Sequence, residues 1–211
     1  MRLLYTPIRG YVHTVEAVIN YAGLRSRIEP VPTKPFDADT SLPDINPLGK
    51  VPTLVLDDGE YLAGGLVIYE YLDSLHDRPQ LHPRAGHERF RVLRQAWMAD
   101  GLFDTFVLIV IEAWLPADEQ RRTYLERCWG KVVRILDRME QDVATYGSLD
   151  IAQVRGVGAL AFLDLKTSTV LESAAGLDPT FEWRRGRPQL SAWYDRLSVD
   201  PIFQTPLLAE F

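Results

Sequence analysis

The sequence predicts an α/β domain, ordered β-α-β-α-β-β-α, followed by an all-helical domain. Two observations predict it. Early in the chain, short apolar runs alternate with helical periodicity and lead to a hairpin pattern around Asp58-Gly59. Beyond the proline-bearing stretch Asp77-Arg78-Pro79 and His82-Pro83, the apolar residues recur with helical period. We therefore expect domains at residues 1–78 and 86–211, joined by a linker at 79–85.

Residues 3–6 read as a first strand, ended by Pro7. Val12, Val15, Val18, Ile19 and Ala22 then fall on one face of a helix that Gly23 closes. Residues 27–31 read as a second strand, with Pro30 and Pro32 marking an edge or an early stop, because neither can donate to a ladder. Residues 37–46 are irregular or a short helix, stopped by the turn chemistry of Asn46-Pro47-Leu48-Gly49. Pro52 precedes a strand at 53–56, where a missing N–H is tolerated. An X-Pro bond gives up only ~0.5–1 kcal/mol on going cis, and a cis bond here would leave the Val51 N–H and C=O for an extended ligand to pair with. Asp58-Gly59 tolerates the positive φ of a tight turn, and residues 60–62 return as the next strand. From Gly65 the period changes. Leu66, Tyr69 and Leu72, with Val67, Ile68 and Tyr71 between them, make an apolar helix of about three turns.

In the second part, Phe90, Leu93, Ala96 and Trp97 open a long amphipathic segment that reaches about residue 114. Pro116 suits the first turn of the next helix, which carries Tyr124, Leu125, Val132, Ile135, Leu136 and Met139. Asp150-Ile151-Ala152-Gln153 is a capping box. It leads into an apolar helix through residue 165, whose Gly156, Gly158, Ala159 and Ala161 permit close packing. Residues 188–197 form a last helix before an irregular tail.

Composition narrows the function. A net charge of −6 argues against a nucleic-acid surface, which needs clustered Lys and Arg. The one cysteine excludes an internal disulfide framework and points to a reducing compartment. No apolar run approaches the length of a membrane span, and Met1-Arg2-Leu3-Leu4-Tyr5 is already strand-like, so we expect neither membrane insertion nor a signal peptide. His13, His76, His82 and His87 lack metal-ligand spacing, so no metal is expected. Arg184, Arg185 and Arg187 read as a solvated turn.

The run Asn46-Pro47-Leu48-Gly49-Lys50-Val51-Pro52-Thr53-Leu54, with the hairpin and helix after it, resembles the glutathione S-transferase family. So do Arg94-Gln95-Ala96 with Ala99-Asp100-Gly101 and Asp104, the capped helix ending Ala161-Phe162-Leu163-Asp164-Leu165-Lys166, and the terminal helix from Pro188 to Arg196. The resemblance covers nearly the whole chain. It implies a thioredoxin-like first domain, an all-helical second domain, a cytoplasmic homodimer, and glutathione as co-substrate for a small apolar electrophile.

The resemblance also places the site. Arg9-Gly10 stand where the family carries Ser or Cys followed by Pro at the start of the first helix, and Tyr11-Val12 match the family's next two residues, an aromatic and Val. Arg9 would stabilise a thiolate electrostatically, with Thr6 and Tyr11 as nearby hydroxyls; the alternative is that Arg9 is a solvated surface side chain. Gly64-Gly65 replace the acidic-Ser pair that holds the γ-glutamyl ammonium and carboxylate. The Gly65 N–H can still meet a carboxylate at a helix start. Two lost charge-assisted bonds, each ~1.5–3 kcal/mol, weaken binding by about a hundredfold or more. Lys50, Val51 and Pro52 supply the remaining grip, although Lys50 equally suits a solvated turn. Ile8, Tyr11, Trp97, Phe103 and Phe106 are candidates for an apolar pocket or for core. Three readings remain open: a glutathione transferase with weakened glutathione recognition, a divergent member that binds or converts another small molecule, and a non-catalytic dimeric binding protein.

Overall fold

The computed structural model describes residues 1–7 and 10–204. Strand β1 (Arg2–Tyr5) leads to helix α1 (Tyr11–Ala22), then β2 (Glu29–Pro32), the short α2 (Leu42–Ile45), β3 (Thr53–Val55), β4 (Tyr61–Ala63) and α3 (Gly65–Asp73). The sheet order is β2-β1-β3-β4, with β1 and β2 parallel and the other pairs antiparallel. This is the expected thioredoxin-like arrangement. β2 begins two residues later than its apolar pattern suggests, because Arg25–Arg27 form a 3-10 turn first. Its two prolines sit on the outer edge of the sheet, where an unpaired backbone nitrogen costs nothing. One face of the sheet packs Leu4 and Val55 on Leu42, with Val31, Ile45 and Val51 around them. α1 and α3 pack on each other, and their Val15, Val18, Ile19, Ile68 and Leu72 are buried.

The chain divides into two compact units, the first made of Met1–Pro83 with the segment that begins at Val199, the second Arg84–Ser198. The tail was expected to be irregular and to lie with the helical part. Instead Asp200 caps a 3-10 turn at Pro201–Phe203, accepting from the Ile202 N–H at 3.0 Å. That turn sits on α1. Asn20 Nδ2 donates to the carbonyls of Ile202 and Gln204, and His13 Nε2 lies 3.2 Å from the Phe203 carbonyl oxygen. The backbone polar groups of the tail are satisfied by side chains far away in sequence, which no local pattern encodes.

The second unit contains α4 (Gly86–Glu112), α5 (Arg122–Asp142), α6 (Ile151–Ser173) and α7 (Pro188–Leu197). α4 packs on both α5 and α6. Asp150 caps α6 by accepting the Gln153 N–H at 3.0 Å. The reciprocal half of the capping box is replaced: the Gln153 side chain donates to the Ser148 carbonyl and accepts from Trp193 Nε1. Gly156 admits the Trp193 ring, 3.0 Å from where a Cβ would stand, so α6 and α7 approach closely. α6 runs eight residues beyond the expected end at 165, to Ser173.

Pro116 does not open α5. The helix starts at Arg122, after a turn closed by the Glu119 N–H on the Pro116 carbonyl. The start is set by Glu112 at the end of α4, which accepts both the main-chain N–H and the guanidinium of Arg121. Those hydrogen bonds, the guanidinium's first and the main-chain N–H's second, pull the Glu112 carboxyl down from 4.5 to about 2. A lowered folded-state value gives stability that is complete above pH 4.5 and lost as the pH falls towards 2. Thermal unfolding followed across that acid range should therefore show a shallower decline for Glu112→Gln than for the wild type. Parallel declines would remove the pair from the acid response.

Candidate functional site

Several of the described residues that the sequence singles out in the first unit lie at one end of the sheet. Thr53 on β3 pairs with Leu4 on β1 and with Ala63 on β4. Val51 and Pro52 immediately precede Thr53, Tyr5 and Thr6 follow Leu4, and Gly64 and Gly65 follow Ala63, so these segments stand at the same end of the sheet. α1 begins at Tyr11 and α3 at Gly65.

The loop that delivers Val51 is held by one buried side chain. Asn46 Nδ2 donates to the Lys50 carbonyl at 3.0 Å and to Thr53 Oγ1 at 2.9 Å, while its Oδ1 accepts the Leu48 N–H. Thr53 Oγ1 in turn donates to the Lys50 carbonyl. Asn46 thus closes an Asx turn and pins the loop at both ends. The Val51–Pro52 bond is cis. No main-chain hydrogen bond joins Val51 to another described residue. The Lys50 side chain is exposed.

Arg9 and Ile8 lie outside the described residues. Of the other hydroxyls proposed near a thiol, Thr6 donates to the Thr33 carbonyl at 2.7 Å, which ties β1 to the segment after β2. Tyr11 is half-buried, and its carbonyl accepts the Tyr69 hydroxyl at 3.3 Å. Gly64 is the N-cap of α3, at φ 88°, with no side-chain cap. Gly65 is buried, and the ring of Tyr69 lies directly over it.

Helical period alone marks Tyr69 as nothing more than core. A finer signal was available: an aromatic four residues after a glycine, on one helix face. Helical side chains lean back towards the N-terminus, so residue i+4 covers residue i. A second missed feature is Asp73 at the end of α3. Burial pushes its carboxyl up, but hydrogen bonds from the His82 ring and from the Leu81 and His82 main-chain N–H groups outweigh burial and hold it below its ordinary value. Asp73 so fastens the chain that leaves α3.

The pocket candidates of α4 do not share a face. Trp97 is exposed, while Phe106 is fully buried. Nine residues amount to two and a half turns at ~3.6 residues per turn, which sets the two side chains on opposite sides of the helix. Phe103 and Phe106 instead gather around Phe162 of α6, at ring distances of 4.7 and 5.7 Å. Among the described residues no cluster of His, Cys, Asp and Glu could hold a metal, and no helix is long and apolar enough to cross a membrane.

A thioredoxin-like sheet that brings a cis-proline turn and a helix start together, followed by a helical unit, defines the glutathione-transferase class of protein. Comparison with known proteins agrees. Residues 9–75 match the family model described as the glutathione S-transferase N-terminal domain. A glutathione transferase family member from Pseudomonas fluorescens Pf-5, solved with bound glutathione, is 32% identical, with a TM-score of 0.82 over 99% of this chain and 96% of that one. A glutathione S-transferase from Methylobacillus flagellatus KT, solved with GSH bound, is 28% identical, with a TM-score of 0.85 over 96% of each chain. The uncharacterized GST-like protein YibF of Escherichia coli K12 is 37% identical over 106 residues, 50% of this chain and 52% of that protein. The chain thus spans about half the length of that curated relative. The chain belongs to the glutathione S-transferase family.

Proposed function

We propose that this protein is a glutathione transferase-type protein that holds an extended, thiol-bearing peptide ligand by main-chain contacts and recognises glutathione weakly. The observation that supports the reading is that the cis Val51–Pro52 turn before β3 and the side-chain-free start of α3 after β4, Gly64-Gly65, stand at the same end of the paired strands β3 and β4. Relatives of the same fold have been solved with glutathione bound, which makes glutathione the first ligand to test. In this reading Val51 pairs with the peptide backbone, Lys50 and the Gly65 N–H meet carboxylates, and Arg9 favours the thiolate, with Thr6 and Tyr11 beside it. Exchange or conjugation of the thiol with a small apolar electrophile is the proposed chemistry. A homodimer in the cytoplasm completes the proposal; exposed Phe90 and Trp97 on α4 are apolar surface that a second copy would cover.

Isothermal calorimetry with glutathione tests this directly. Millimolar affinity is expected, because the two side-chain contacts to the amino-acid head are absent and each is worth ~1.5–3 kcal/mol. Micromolar affinity would overturn the weakened-recognition reading. Complete absence of binding favours the second reading, in which this family member takes another small ligand; the Tyr69 ring over Gly65 is the observation on that side.

A further inference from the structure

The last described segment of the chain is tied to α1 by its own main chain. Three consecutive carbonyls, those of Ile202, Phe203 and Gln204, take hydrogen bonds from α1 side chains. Asn20 Nδ2 donates to the first and third, at 2.9 and 3.0 Å, while its Oδ1 accepts from Arg25 Nη2 at 3.1 Å. Both ends of that amide are therefore engaged, which fixes its direction. A carbonyl oxygen only accepts, so His13 Nε2 carries the hydrogen that it shares with Phe203. His13 and Asn20 lie ~two helical turns apart and share a face of α1. The Phe203 ring is buried, edge-on to the His13 ring at a centroid distance of 5.8 Å. The start of α1 is weak by itself. Gly10 stands at its N-cap with a φ of 119°, no described side chain caps it, and no acidic residue in the first turn meets the helix dipole. Contacts from afar reach this turn instead: from the tail through His13, and from α3 through the Tyr69 hydroxyl on the Tyr11 carbonyl.

We propose that residues 199–204 are a strap: docked on α1, they hold the start of that helix in place, and their release loosens it. The strap is recognised by main-chain carbonyls and one buried ring, so it docks as a turn and not as a string of specific side chains. Tyr11 opens α1, and the thiol end of the proposed site is built there. Coupling between two events on one helix is reciprocal, so a ligand that needs an ordered α1 start also favours the docked strap. That link to a ligand rests on the reading of the site as one for a thiol-bearing peptide. The strap itself does not.

Amide hydrogen exchange on the full chain tests the strap without any ligand. Phe203→Ala removes the buried ring and leaves every residue of α1 unchanged. The Thr14 amide, which donates to the Gly10 carbonyl at 3.0 Å, should then exchange at least about tenfold faster, while the amides of β3 keep their wild-type rates. Asp200→Ala, which uncaps the turn of the strap, should act in the same direction, and it replaces Phe203→Ala if that variant does not fold. Unchanged exchange at Thr14, or an equal acceleration in β3, would overturn the strap. Calorimetry tests the link to the site. Glutathione should bind the variant about fivefold more weakly than the wild type, or worse, and a smaller loss would overturn that link. No binding to the wild type would overturn the site reading together with the link, and exchange at Thr14 would still decide the strap.

Discussion

Arg155→Met is expected to remove about 3–5 kcal/mol of stability from the helical unit, the cost of leaving a buried charge without its partner. Arg155 on α6 and Asp100 on α4 are both buried. Arg155 Nε donates to Asp100 Oδ1 at 2.6 Å, and Nη2 pairs with Oδ2, so the contact is a two-pronged one between helices. Removing the guanidinium leaves a largely buried carboxylate without its partner. The double change Arg155→Met with Asp100→Leu should recover most of that loss, because apolar replacement of both partners avoids desolvating either charge. Equilibrium unfolding in urea measures both. A single variant that loses less than about 1 kcal/mol, the range of exposed pairs, would show that the pair is solvated.

Phe106→Ala should cost about 3–5 kcal/mol, as large-to-small changes of aromatic core residues do. The ring has no exposure and sits 5.7 Å from Phe162 and 6.3 Å from Trp129, so its removal leaves a cavity lined by helices that cannot collapse onto it. The same unfolding experiment discriminates core from pocket. A pocket residue would change ligand affinity and leave the unfolding midpoint almost unmoved. Trp97→Ala is the natural contrast: it is 61% exposed within this chain and should shift stability little.

Much of the fold was legible because its rules are local. Asp58-Gly59 needs only a tight turn, and β3 and β4 pair around it with Thr53 opposite Ala63. Pro30 and Pro32 lack N–H groups, and β2 is accordingly an edge strand. Asp150 needs only a free N–H three residues on, and it caps α6. The turn at Val51-Pro52 and the helix start at Gly64-Gly65 were legible in a few adjacent letters, whereas their reading as site residues came from the family resemblance.

Other features depend on what lies opposite a residue, and a sequence does not name a residue's neighbours in space. Helical period marked Trp97, Phe103 and Phe106 as aromatic, but only the position of α6 separates the buried Phe106 from the exposed Trp97. Pro116 suits a helix start, yet the carboxylate of Glu112 moves that start to Arg122 by satisfying the Arg121 N–H. The amino-acid order alone determined the succession of strands and helices, the turns and the caps, since each answers to the chemistry of residues within a few positions. Tertiary packing decided that Tyr69 fills the room above Gly65, because two atoms exclude each other from one volume only where the fold has already brought them to it.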